Sequence, residues 1–255
     1  MQRRSFIAAL GAGALATTAG CQTAVGSVAL PEVPTEHLQA GGWKKRSEVT
    51  DETVFEQDYD VLTVEAVASS VTYGDQALRA QVSEDTLGAV DTDLSLFSAT
   101  RMDMAPSVDE LGPIQGQITD RITEAAQSQL VDRMAEAGVE NVQQTDTGTI
   151  EVAGGATADL VELSGTYATP AMEFPVRADR TITIEGTELP IDALLAVWPA
   201  DGNYLVAGGA YPAANVAQTT ETALTDAISV TVDVDLGLRP DAYRDELLEL
   251  VRNVR

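Results

Sequence analysis

The 255-residue sequence predicts an α+β fold, an antiparallel meander sheet packed against one long central helix and one or two C-terminal helices. Three observations carry this. In most runs between turn signals, apolar residues alternate with polar ones, the period of a half-buried strand. One long segment, 118–137, instead places apolar residues at 118, 122, 126, 130, 134 and 137, a helical stripe. The order of strands, helix, strands and helices differs from the βαβ alternation of a doubly wound nucleotide fold.

Taken in order, residues 49–59 and 61–73 alternate and read as a hairpin turning at Asp58-Tyr59-Asp60. A third strand is expected over 93–102, after which Pro106 and Pro113 interrupt the chain. Gly138 is placed to stop the long helix. Five strand-like runs follow, at 142–152, 160–169, 174–185, 191–198 and 204–211. Turn signals at Gly154-Gly155, Pro170, Glu185-Gly186 and Asp201-Gly202 separate them, and the Asp-Gly pair favours a tight hairpin. Thr219 or Thr220 reads as the cap of a helix reaching 228. Pro240-Asp241 opens a last helix with Tyr243, Leu247, Leu250, Val251 and Val254 on one face.

Composition narrows the function classes. With 40 Asp and Glu against 15 Lys and Arg, the net charge is −25, so phosphate backbones are repelled and nucleic acid is excluded as a partner. Hydrophobic residues at 44% are too many for a chain disordered by its charge. A single Cys excludes disulfide frameworks and Cys-rich metal sites, and no cofactor motif stands in a fitting context. The acids are spread along the whole length, and Lys44 and Lys45 are the only lysines. Such acid-rich, lysine-poor surfaces suit molar salt, where the Debye length falls to about 3 Å and self-repulsion is screened.

The first residues carry an address. Arg3 and Arg4 precede Phe6, Ile7 and a weakly apolar run to Ala19, which resembles a twin-arginine export signal. The run is shorter than the roughly twenty residues of a membrane span. It ends Thr18-Ala19-Gly20-Cys21, similar to a lipobox whose Cys is lipidated after cleavage. The expected division is a signal peptide over 1–20, a lipidated Cys21 with a flexible tether over 21–42, and a single domain over 43–255. Within the signal, Gly11-Ala12-Gly13-Ala14-Leu15-Ala16 matches a dinucleotide fingerprint but follows no strand, so it carries no cofactor.

Arg3-Arg4, Ala19-Gly20-Cys21, Gly42-Trp43, Val71-Thr72-Tyr73, Phe97-Ser98-Ala99-Thr100, Asp201-Gly202-Asn203-Tyr204 and Ala210-Tyr211-Pro212 together resemble a haloarchaeal family of twin-arginine-exported lipoproteins of unknown function. A fainter likeness, in element order alone, is to Mog1/PsbP-like lipoproteins. The resemblance implies an extracytoplasmic domain anchored by lipid to the outer face of the cell membrane. It supplies no catalytic residues.

Chemistry is scarce in the rest. His37, the sole His, lies in the expected tether, where no rigid frame holds it against a nucleophile. Asp91-Thr92-Asp93 opens like a calcium loop, but Leu96 and Met102 stand where Gly and Glu are required. Asp233 and Asp235 share a face if extended, which allows at most a weak cation site. Lys44-Lys45-Arg46 either lies against anionic headgroups or pairs with acids on a neighbouring strand. Trp43, Trp198, Tyr204 and Tyr211 are the candidate ligand patch, with Gly208-Gly209 allowing close backbone approach.

The expected function is a non-enzymatic binding, assembly or envelope-structural module. The alternative is a small-ligand or solute-binding lipoprotein using that patch. A hydrolase built on two carboxylates remains as the weakest reading, because such a pair is defined by its separation in space. The charge makes one prediction: the protein unfolds on dialysis from molar salt to about 50 mM salt. Circular dichroism reads the outcome, and a native spectrum at low salt would contradict the halophilic reading.

Overall fold

In the computed structural model, residues 26–59, 62–177, 180–225 and 228–255 are described. The core is a seven-stranded sheet in which every neighbouring pair is antiparallel. Strands β1 (Trp43–Tyr59), β2 (Leu62–Asp75) and β3 (Leu96–Ala105) form one ladder. Strands β4 (Val139–Glu151), β5 (Thr157–Ala168), β8 (Glu188–Ala200) and β9 (Asn203–Pro212) form a second. The ladders join where β3 pairs with β9, from Leu96↔Ala210 to Met102↔Tyr204. The order is therefore β1-β2-β3-β9-β8-β5-β4.

Joining the two ladders at β3 and β9 sends the chain from mid-sheet to the far edge. Helix α3 (Gln115–Glu136) makes that crossing, touching β4, β8 and β9. Its end matches the expected stop, with Gly138 at φ +87°, a left-handed position that favours glycine. The Tyr204 hydroxyl lies 2.6 Å from Thr119 Oγ1, so Tyr204 and every second residue along β9 face α3. The intervening residues face helix α4 (Pro240–Arg252), whose Leu247, Leu250 and Val251 are fully buried. Helices thus cover both faces of the sheet.

Local signals fared well where they specified a turn. Asp201 and Gly202 have φ +49° and +78°, two left-handed residues closing the β8–β9 hairpin at Ala200↔Asn203. The first hairpin pairs Asp58 with Thr63 and Tyr59 with Leu62, so Asp58 and Tyr59 of the expected turn belong to the strand, while Asp60 lies outside the described residues.

Four expectations need correction. Residues 174–185 are not one strand: β6 (Met172–Arg177) pairs back on β7 (Arg180–Ile184), and Pro175 within the run cannot donate to a ladder. The helix expected after Thr219 is also absent. In its place β10 (Ala217–Thr225) pairs with β11 (Ile228–Asp235), leaving one C-terminal helix. β-branched residues dominate both strands, and Thr219 Oγ1 bonds Asp233 Oδ1 across them at 2.7 Å instead of capping a helix.

An unexpected helix, α2 (Gln76–Asp85), follows β2. Asp75 Oδ1 caps it by accepting from the Leu78 N–H at 2.9 Å, and it buries only Leu78 and Val82.

The fourth correction concerns the tether. From residue 26 onward the segment lies against the domain, because its polar backbone finds partners there. The Val28 N–H donates to Asp51 Oδ1 at 2.7 Å, and Ser69 Oγ donates to the Val28 carbonyl at 2.8 Å. Glu32 and Arg255 exchange two backbone hydrogen bonds, at 2.7 and 3.0 Å. Helix α1 (Thr35–Ala40) then buries Leu38 against β1 and α4. Arg3, Arg4 and Cys21, the expected export and lipidation residues, lie outside the described residues.

Candidate functional site

The four candidate aromatic rings are buried and do not form one patch. Across the β8–β9 hairpin Trp198 pairs with Leu205 and Tyr204 with Pro199, so the two buried rings point to opposite faces. Tyr211 sits on the α4 face, its hydroxyl pushed up to about 12 by burial and by the nearby Asp192 carboxylate. Trp43 packs edge-on against Phe97, with centroids 6.3 Å apart, and Phe97 stacks on Tyr73. None of the four lines the apolar cavity walled by Leu130, Leu195 and Val206.

That cavity, of about 110 Å³, lies between α3 and the sheet. Its origin is a mismatch of side-chain size. Ile118 and Ile122 anchor one end of α3 and Met134 the other, all buried, which sets the helix at a fixed height. Between these anchors α3 offers Ala126 and Leu130, both only half-buried. The strands beneath present Thr72, Ser98, Thr100, Gly208 and Ala210, all small. Leu195, Ile191 and Val206 complete an apolar wall. The exposed residues Gln129 and Arg133 mark the mouth, on the side towards β2 and β3.

Gly208-Gly209, singled out in the sequence, belongs to this floor. A Cβ on Gly208 would run into the Leu194 carbonyl, and one on Gly209 into the Leu96 carbonyl, with Leu247 Cδ1 3.0 Å away. The pair therefore lets β3, β9 and β8 approach closely and also leaves the floor open. Period-two alternation explains the runs 71–73 and 97–100. Tyr73, Phe97 and Ala99 enter the aromatic core, while Thr72, Ser98 and Thr100 turn to the cavity.

The remaining candidates are structural. Asp91 binds Arg79 at 2.7 Å and Asp93 binds Arg46 at 2.6 Å, so the calcium-like turn holds arginines. Lys45 pairs with Glu48 at 2.7 Å, so two of the three residues in the basic trio face acids. Asp233 accepts from Thr219, while Asp235 accepts from Asn215 at 2.7 Å and from the Gly237 N–H at 2.9 Å. Among the described residues no three His, Cys, Asp or Glu side chains converge as metal ligands. His37, on α1, has Glu36 as its neighbour at 3.9 Å, and no hydroxyl bonds it among the described residues.

A profile for a family described as a domain of unknown function, DUF6517, matches residues 30–255. The chain belongs to that family. Neither a curated protein nor a solved structure matches it. The DUF6517 match begins inside the segment that docks onto the domain, in agreement with the packing of Val28 and Leu38. No helix among the described residues of the DUF6517 chain is long and apolar enough to cross a membrane.

Asp75 and Glu246 are two carboxylates drawn into the DUF6517 core, and the Asp75 charge acts on Glu246. Both are already engaged in holding the fold, since Asp75 caps α2 and Glu246 Oε1 accepts from the Trp43 indole N–H at 2.7 Å. Burial raises both above the ordinary carboxylate range, and their hydrogen bonds partly offset it, while the Asp75 charge adds to the rise of Glu246. The folded state holds these protons more tightly than the unfolded chain. Their contribution to stability is therefore fully present below about pH 4 and is lost as pH rises through the folded pKa. Glu246→Gln keeps an acceptor for the indole and removes the charge. It is expected to lose less stability than the native protein between pH 4 and pH 7, read by thermal unfolding in molar salt. Identical pH slopes would contradict this account of Glu246.

Proposed function

We propose that this chain is a lipid-anchored extracytoplasmic domain of a haloarchaeon that binds a small apolar ligand between α3 and the sheet. The cavity carries the reading. A void of this size costs on the order of 2–3 kcal/mol if left unfilled. One larger side chain at Ala126 or Ala210 would remove it. An apolar cavity of about 150 Å³ holds benzene, so this one takes a slightly smaller group, such as the inner part of a short alkyl chain whose other end lies at the mouth. The cavity favours a binding role over a purely envelope-structural one. No pair of free buried acids among the described residues supports the hydrolase reading.

Arg3, Arg4 and Cys21 support export and anchoring. The packing adds a consequence. Val28 is the first buried residue among the described ones, so a lipid on Cys21 would sit at most about 25 Å of extended chain from it. Such a leash holds the domain at the bilayer surface.

Two experiments test the two halves. Hexan-1-ol is expected to raise the unfolding temperature of the native protein in molar salt, and Ala126→Phe to remove that shift while unfolding no earlier. An equal shift in the variant, or none in the native protein, removes the ligand site. Separately, Cys21→Ser is expected to move the protein from the membrane fraction to the soluble one. Unchanged membrane retention removes the lipid anchor.

A further inference from the structure

Resting on that reading of the cavity, we infer that its ligand is an amphiphile with one anionic head group. The apolar body lies under α3, and the head lies at the mouth against Arg133. Two charged residues line the cavity, Asp93 and Arg133. Asp93 is occupied: Arg46 holds it at 2.6 Å and Arg79 approaches at 3.7 Å, while Arg79 also binds Asp91 at 2.7 Å. A cationic head would meet a carboxylate already held by two guanidinium groups.

Arg133 differs. Among the described residues no carboxylate lies within 4.0 Å of it, in a chain where acids outnumber bases 40 to 15. Its polar contact is a long one, from Nη1 to Ser98 Oγ at 3.5 Å. That serine also lies 3.3 Å from Thr72 Oγ1. A guanidinium with unused donors therefore stands beside two hydroxyls, all at the exposed end of an otherwise apolar cavity. A planar carboxylate matches such donors, and charge-assisted bonds of this kind are stronger than neutral ones. With Asp93 held by Arg46 and Arg79, Arg133 is the cavity-lining charge that can meet an anionic head.

The test compares hexanoate, hexan-1-ol and hexylammonium on the full chain in molar salt, by titration calorimetry. Hexanoate is expected to bind about three- to tenfold more tightly than hexan-1-ol, a margin reduced by exposure and salt screening. Hexylammonium is expected to bind most weakly. Arg133→Gln should erase the preference for hexanoate over hexan-1-ol. Arg133→Lys should retain part of it. Arg133 is exposed, so circular dichroism of both variants should remain native. If hexan-1-ol binds and hexanoate binds no better, or if the preference survives Arg133→Gln, the head-group inference falls and the cavity reading stands. If none of the three binds, the cavity reading falls and takes this inference with it.

Discussion

The pairing of β3 with β9 is the contact on which the rest of the architecture depends. Its partners are more than a hundred residues apart in the chain, from Leu96↔Ala210 to Met102↔Tyr204. It converts two antiparallel ladders into one sheet. Once the ladders meet there, β4 must lie at the outer edge, and the chain between β3 and β4 must cross one face to reach it. That crossing is α3. Helix α4 then covers the other face, so Tyr204 and Leu205, adjacent in sequence, belong to different layers.

The same pairing explains the cavity. Backbone proximity of β3, β9 and β8 leaves no room for a Cβ at Gly208 or Gly209, so glycine there serves strand approach. One consequence is a floor without side chains directly beneath α3. The helix cannot settle into the gap because Ile118, Ile122 and Met134 prop it at both ends and Thr119 is tied to Tyr204. Close-packed interiors do not deform continuously, so a shortage of side-chain volume between two rigid layers persists as a void. The proposed ligand site is thus a by-product of sheet closure, its apolar walls joined by the hydroxyls of Thr72, Ser98 and Thr100.

Surface charge and interior chemistry are separate matters in this protein. Most acids are distributed over exposed positions, and the acids weighed for a cation site turn out to be partners of Arg46, Arg79, Thr219 or Asn215. Residues 26–42 show a similar shift of role. Proline and glycine content makes them read as a spacer, yet Val28, Pro31 and Leu38 are buried. Short segments without periodicity can still pack when their few apolar side chains and backbone groups find a prepared surface.

Local chemistry in the sequence determined several features. Asp201-Gly202 specifies its hairpin because both residues tolerate positive φ, and the stripe from Ile118 to Met134 specifies a helix with one apolar face. The last helix is legible for the same reason. Thr219 misleads because a hydroxyl can cap a helix or bond across strands, and neighbours decide which. Trp198, Tyr204 and Tyr211 are visible as aromatic residues on strands, but which face each occupies depends on register. Arg133 carries no signal, and neither Ala126 in the helical stripe nor Ser98 in the run 97–100 gives any sign of facing a cavity. A cavity is missing volume between surfaces remote in the chain, and only the tertiary structure, by pairing β3 with β9 and laying α3 across them, could bring those residues together.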